Sequence, residues 1–109
     1  MSQKTDLLRG TLDLLILRTL DSGPLHGIAI ADRIRQATRG TFDVQAGSLF
    51  PALHRLEQEG SIAGDWTTSA EGRRVRAYAL TAVGRRTLAA EKRQWERVVT
   101  AMTQVLEGV

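Results

Sequence analysis

Arg73, Arg74 and Arg76 fall within four consecutive positions, and guanidinium groups set that densely suit phosphate, because each carries a permanent charge and a planar fork of donors. Upstream, the segment from Gln45 to Glu59 sorts by helical spacing, at about 100° per residue, into two faces. Leu49, Leu53 and Leu56 share one, and Gly47, Ser48, Pro51, His54, Arg55 and Gln58 share the other. Small residues at a helix start let backbone approach a polyanion closely; the Ser48 hydroxyl suits a phosphate or a base edge, and a helix N-terminus attracts phosphate by itself. His54, Arg55 and Gln58 supply longer donors, Gln45 opens the segment, and Phe50 flanks the face, placed for the core or for a sugar or thymine methyl. A rod with a small polar face followed at once by a cationic hairpin fits DNA: the rod enters the major groove and the hairpin lies beside it.

The same residues have plainer uses. A polar helix face facing water needs no function, and one of the hairpin arginines is expected to pair with Asp65 or Glu71. His26, between Leu25 and Gly27, suits a hydrogen bond at a helix start. Catalytic constellations are missing from the inventory: there is no cysteine, the two histidines form no HExxH pattern, and Ser48 sits in GSLF, not in a GxSxG elbow. The scattered glycines make no GxGxxG loop. Neither an enzyme nor a metal or cofactor is expected.

These groups must be carried by a scaffold of 109 residues, 42% of them apolar, which is enough for one core and too little for two. The formal charge of +3 is too small to prove a polyanionic partner, so the placement of the cations carries the argument. No window is long and apolar enough to span a bilayer and the first residues do not resemble a signal peptide, so a cytoplasmic protein of bacterial style is expected.

Helical periodicity runs from Asp6 to Leu20, with Leu7, Leu8, Leu12, Leu15 and Leu20 in one stripe and Ser22, Gly23 and Pro24 as the stop. The run Leu14 to Leu17 is apolar all round the helix, more than one small core buries, and suggests a second subunit. A second helix is expected from about His26 to before Gly40, and a third from Gln45 to Glu59, with Gly60 as its left-handed cap and Pro51 near its first turn. Strands follow at Ser61 to Trp66 and Arg73 to Leu80, joined by a loose tip from Thr67 to Gly72. Period two does not choose which face of the second strand is buried. Thr81 is a good N-cap for a last helix reaching about Leu106. There Leu88, Trp95 and Met102 recur every seven residues with Val98, Val99, Val105 and Leu106 beside them, a seam that wants a partner.

Helix, helix, helix, hairpin, helix is the order of a winged helix-turn-helix domain with one helix appended: an α+β chain, mostly α, with a DNA-binding part at 1–80 and a C-terminal dimerisation helix at 81–109 in one structural unit.

The stretches GTLDLLILRTL (Gly10 to Leu20), GPLHGIAIADRI (Gly23 to Ile34), GSLFPALHRLEQEGSI (Gly47 to Ile62), Trp66, RRVRAYALTAVG (Arg73 to Gly84) and the helix carrying Trp95 together resemble the PadR family of bacterial transcriptional regulators. The resemblance covers nearly the whole chain. It implies a homodimeric winged-helix repressor of nearby genes, whose last helix packs on the partner's first. Leu8, Leu12, Leu15, Leu88, Trp95, Val98, Val99, Met102, Val105 and Leu106 would then form the dimer interface. Some relatives take aromatic or lipophilic effectors at that interface, which implies Trp95 as a lining residue, beside the simpler role of an anchor. The chain departs from the family at Phe50, where tyrosine is usual, at Ile28 in the HGY-like pattern, and at Ala77 in the wing's aromatic pair. The alternative function is a winged-helix protein-interaction module without specific DNA binding.

Overall fold

The computed structural model describes residues 2–108, with side chains from residue 10 onward. Its elements are α1 (Ser2–Leu20), β1 (Leu25–His26), α2 (Gly27–Ala37), α3 (Ala46–Gln58), β2 (Ile62–Thr68), β3 (Arg74–Leu80) and α4 (Ala82–Thr103), which ends in a π turn at Gln104–Gly108. The sheet is antiparallel in the order β1-β3-β2. A mostly helical chain with a small sheet, a two-stranded wing and a C-terminal helix is the expected architecture.

The core is formed where the apolar stripes converge. Ile16, Leu17 and Leu20 of α1, Ile30 and Ile34 of α2, and Leu49, Ala52, Leu53 and Leu56 of α3 are closed off by Ile62, Tyr78, Leu80 and Leu88. On α1 the buried stripe is therefore Ile16, Leu17 and Leu20, offset from the one the spacing predicts. Leu12 and Leu15 are half-buried against this same core, and the side chain of Leu8 lies outside the described residues.

The end of α3 follows its sequence. Gly60 takes φ +79, Ser61 N–H donates to the Leu56 carbonyl and Gly60 N–H to that of Glu57, both at 3.0 Å. This double closure is the Schellman motif, which satisfies the last carbonyls of the helix and turns the chain directly into β2. Pro51 departs from expectation. It is the sixth residue of α3, in the second turn, where it cannot donate to the Gly47 carbonyl. His26 departs as well: it lies in β1, paired with Ala77, and at the N-cap of α2 its side chain makes no capping hydrogen bond.

The wing is tighter than a loose tip of six residues. β2 continues to Thr68, and the reversal is closed by Ser69 N–H donating to the Arg73 carbonyl at 2.7 Å, with Gly72 at φ +81. The buried face of β3 is the one bearing Leu80, Tyr78, Arg76 and Arg74: the first two are in the core, Arg76 is half-buried and Arg74 is exposed. Burial pushes the Tyr78 phenol pKa above its ordinary value.

Thr81 joins α3, the wing and α4. Its hydroxyl oxygen accepts from Gly84 N–H at 3.0 Å, capping α4, while its hydroxyl donates to the Gly60 carbonyl at 2.6 Å. Gly84 and Leu88 are the only described residues of α4 that are buried, so this helix is anchored by its first two turns. The remainder projects, and the molecule measures 56 × 28 × 25 Å. No helix among the described residues is long and apolar enough to cross a membrane.

Candidate nucleic-acid interface

The outer face of α3 is open. Gln45, which N-caps the helix, and Gly47, Ser48, Phe50, Pro51, His54 and Gln58 are all exposed. Ala46, Gly47 and Ser48 leave nothing larger than a hydroxymethyl group over the first turn, so the helix N-terminus can approach a surface at backbone distance. Phe50 packs one part of its ring against the fold and leaves the rest open. Its ring lies across Gly27 at the start of α2, where a Cβ would come within 2.8 Å of it, while 42% of the residue stays exposed.

Arg55 is not free on that face. Its two terminal nitrogens donate to both Asp13 carboxylate oxygens, at 2.7 and 2.8 Å, which ties α3 to α1. The Asp13 hydrogen bond raises the guanidinium pKa above its ordinary value, outweighing the opposing effect of burial. A helical wheel sets Arg55 opposite Leu53, yet it stands at the flank, and its long side chain turns back toward α1.

The wing arginines divide into two kinds. Arg76 reaches past the sheet to Glu57 of α3, with Nη1 and Nη2 donating to the two carboxylate oxygens at 3.2 and 2.7 Å, and Nη2 also donates to the Gly64 carbonyl at 3.2 Å. An ion pair for one wing arginine is thus present, but with Glu57 in place of Asp65 or Glu71. Arg73 and Arg74 form no ion pair among the described residues. The Arg74 guanidinium lies 4.7 Å from the centre of the Trp66 ring, and that ring is 59% exposed at the wing tip. Stacking on an indole holds a guanidinium flat while leaving its donors outward. Trp66, read above as the end of a strand and a point of resemblance, therefore stands beside the candidate site. Its signal was the register that sets an aromatic strand residue opposite a run of arginines.

The last helix divides in the same way. Leu88, expected in the dimer seam, is 8% exposed and sits in the chain's own core. From Trp95 onward the seam is bare: Trp95, Val98, Val99, Met102, Val105 and Leu106 are all exposed, Leu106 at 75%. Six large apolar side chains in line along one projecting helix form a continuous exposed stripe, not scattered surface residues.

A three-helix core presenting α3, a two-stranded wing beside it and an appended α4 define a winged helix-turn-helix protein of the transcription-regulator class. More particularly, the chain belongs to the PadR-like family of transcriptional regulators, whose family model matches residues 16–90. These are regulators and not enzymes. The chain is 30% identical over 90 residues to Transcriptional regulator Rv3488 of Mycobacterium tuberculosis, covering 83% of this chain and 80% of that one. In structure it is similar to a transcriptional regulator from Clostridium thermocellum, with a TM-score of 0.83 and 26% identity over 91% of this chain and 96% of the other. It is also similar to a PadR family transcription regulator from Clostridium difficile, with a TM-score of 0.76 and 30% identity over 87% and 97%.

Proposed function

We propose that the chain is a homodimeric, cytoplasmic repressor that binds a two-fold DNA operator near the genes it controls. In this reading the two copies of α3 enter successive major grooves, with Gln45, Gly47, Ser48, Phe50, Pro51, His54 and Gln58 at the surface that meets bases and phosphates. Arg73 and Arg74 grip flanking phosphate or enter the minor groove. The projecting seam from Trp95 to Leu106 joins the two copies, together with α1 around Leu12 and Leu15. Trp95, 43% exposed at the inner end of that seam, is the residue against which a small aromatic or lipophilic effector would stack to release the DNA.

One observation carries the DNA-binding reading: the small, open first turns of α3 stand beside a wing tip whose Arg73 and Arg74 have no anionic partner among the described residues. A protein-interaction module would use the same surface, but its affinity would not depend on DNA sequence.

The test is binding to the DNA upstream of the protein's own coding region across a salt series. The wild type is expected to shift that fragment in preference to a scrambled one. Arg74→Ala should make the dependence of log affinity on log salt shallower by about 0.9 for each protomer bound, the signature of one lost phosphate contact. An unchanged slope removes Arg74 from the contact surface, and no preference for any upstream fragment favours the protein-interaction module.

A further inference from the structure

Arg55 and Glu57, two residues apart on α3, point away from each other into opposite forked ion pairs, Arg55 with Asp13 of α1 and Glu57 with Arg76 of β3. Building on the DNA-binding reading above, we propose that these two pairs are the clamps that set the bearing of α3, so that Arg55 and Arg76 are positioning residues and not DNA contacts.

The arrangement argues against a free cation at either position. Both guanidinium groups spend two donors on a carboxylate in the side-by-side geometry that fixes orientation as well as distance. Arg76 is further confined. Gly64, opposite Tyr78 in the ribbon, leaves the gap it crosses: a Cβ there would lie 3.0 Å from Arg76 Nε and 3.1 Å from its Cζ. The rings of Trp66 and Tyr78 stand 6.0 and 5.9 Å from the guanidinium carbon. A half-buried side chain held by a carboxylate and a strand carbonyl beside two rings does not swing out to phosphate without giving up those hydrogen bonds. Position matters as much as geometry. The Glu57 pair lies where the sheet's inner face leaves the core, between buried Tyr78 and exposed Arg74, so it fixes the wing's angle to α3. The Asp13 pair ties the other flank of α3 to α1, the helix expected at the dimer interface. A base contact tolerates little misplacement, and a helix braced on both flanks meets that demand.

The sign of the Glu57→Gln effect discriminates. If Arg76 only awaited phosphate, removing an anion beside it would free the cation and tighten DNA binding. If the pair is a clamp, Glu57→Gln weakens specific binding even though it makes the surface more positive. The experiment measures affinity for the upstream fragment and a scrambled control over a salt series, for wild type, Glu57→Gln, Arg76→Gln, Asp13→Asn and the swap Glu57→Arg with Arg76→Glu. Thermal melting at equal protein concentration verifies that each variant is folded. The expected result is a roughly tenfold loss of specific affinity in each single variant, about the value of one good base contact. The salt slope should stay unchanged and affinity should partly return in the swap. Gly64→Val, which fills the gap that Arg76 crosses, gives an independent route to the same loss if Arg76→Gln does not fold. Glu57→Gln binding as tightly as wild type or tighter, or Arg76→Gln lowering the slope by about 0.9 per protomer, overturns the clamp. A wild type with no preference for the fragment would instead defeat the DNA-binding reading on which the clamp rests.

Discussion

Gly84→Ala is expected to lower the melting temperature by roughly 10–20 °C, from a destabilisation of about 3 kcal/mol spread over a domain of this size. A Cβ at this position would sit 2.0 Å from the Ser61 carbonyl oxygen and 2.7 Å from Leu80 Cδ1. Backbone cannot move aside as a side-chain end can, so the strain passes to the surrounding hydrogen bonds. Ser61 C=O accepts from Thr81 N–H at 3.2 Å, and Thr81 in turn caps α4 through Gly84 N–H. One methyl group therefore separates the end of α3, the base of the wing and the start of α4. Gly47→Ala is the internal control. A Cβ there meets nothing within 4 Å, so this exposed helical position should gain up to about 1 kcal/mol from the better helix former. Melting followed by circular dichroism at fixed protein concentration separates the two, and a Gly84→Ala protein that melts with the wild type would show that the close approach is not tight.

In the proposed homodimer, Met102→Glu is expected to separate the two protomers and to weaken operator binding by roughly 10²–10⁴-fold. Met102 is 53% exposed and lies on the part of α4 beyond its anchor at Gly84 and Leu88, so the single chain does not need it to fold. In a two-fold interface every substitution occurs twice, and each new carboxylate would have to be buried in an apolar seam without a partner. Once the copies part, the second half-site is no longer bound at the high effective concentration that a linked partner supplies, which sets the size of the loss. Sedimentation velocity reads the first effect and a gel shift the second. A variant that stays dimeric, or that binds DNA as the wild type does, would remove the α4 seam from the assembly.

Much of this molecule is legible where the signal is local. The α3 cap needs only Gly60 in a left-handed conformation and a strand after it, and the α4 cap needs only Thr81 three residues before a free N–H. What the sequence hides is what forms between distant positions. Arg55 and Asp13 are 42 residues apart and Arg76 and Glu57 are 19 apart, and no periodicity reports such a pair. Arg55 accordingly reads as a free cation, and the ion pair expected for one of the hairpin arginines falls to Glu57 in place of Asp65 or Glu71. The strand Leu25–His26 is too short for period two to register and exists because β3 offers it Ala77 and Tyr78. Leu88 belongs to the same heptad series as Trp95 and Met102, yet it falls within the anchored turns of α4, and a repeat does not reveal where a core ends.

The measurement that most directly tests the reading as a whole is hydroxyl-radical footprinting of the wild-type protein on its own upstream DNA. Two protected patches related by a two-fold axis, with centres about one helical turn (~34 Å) apart and both lost in Met102→Glu, are the predicted result. A single patch, or protection that spreads evenly along the fragment without sequence preference as protein is added, would contradict a paired reading of two half-sites.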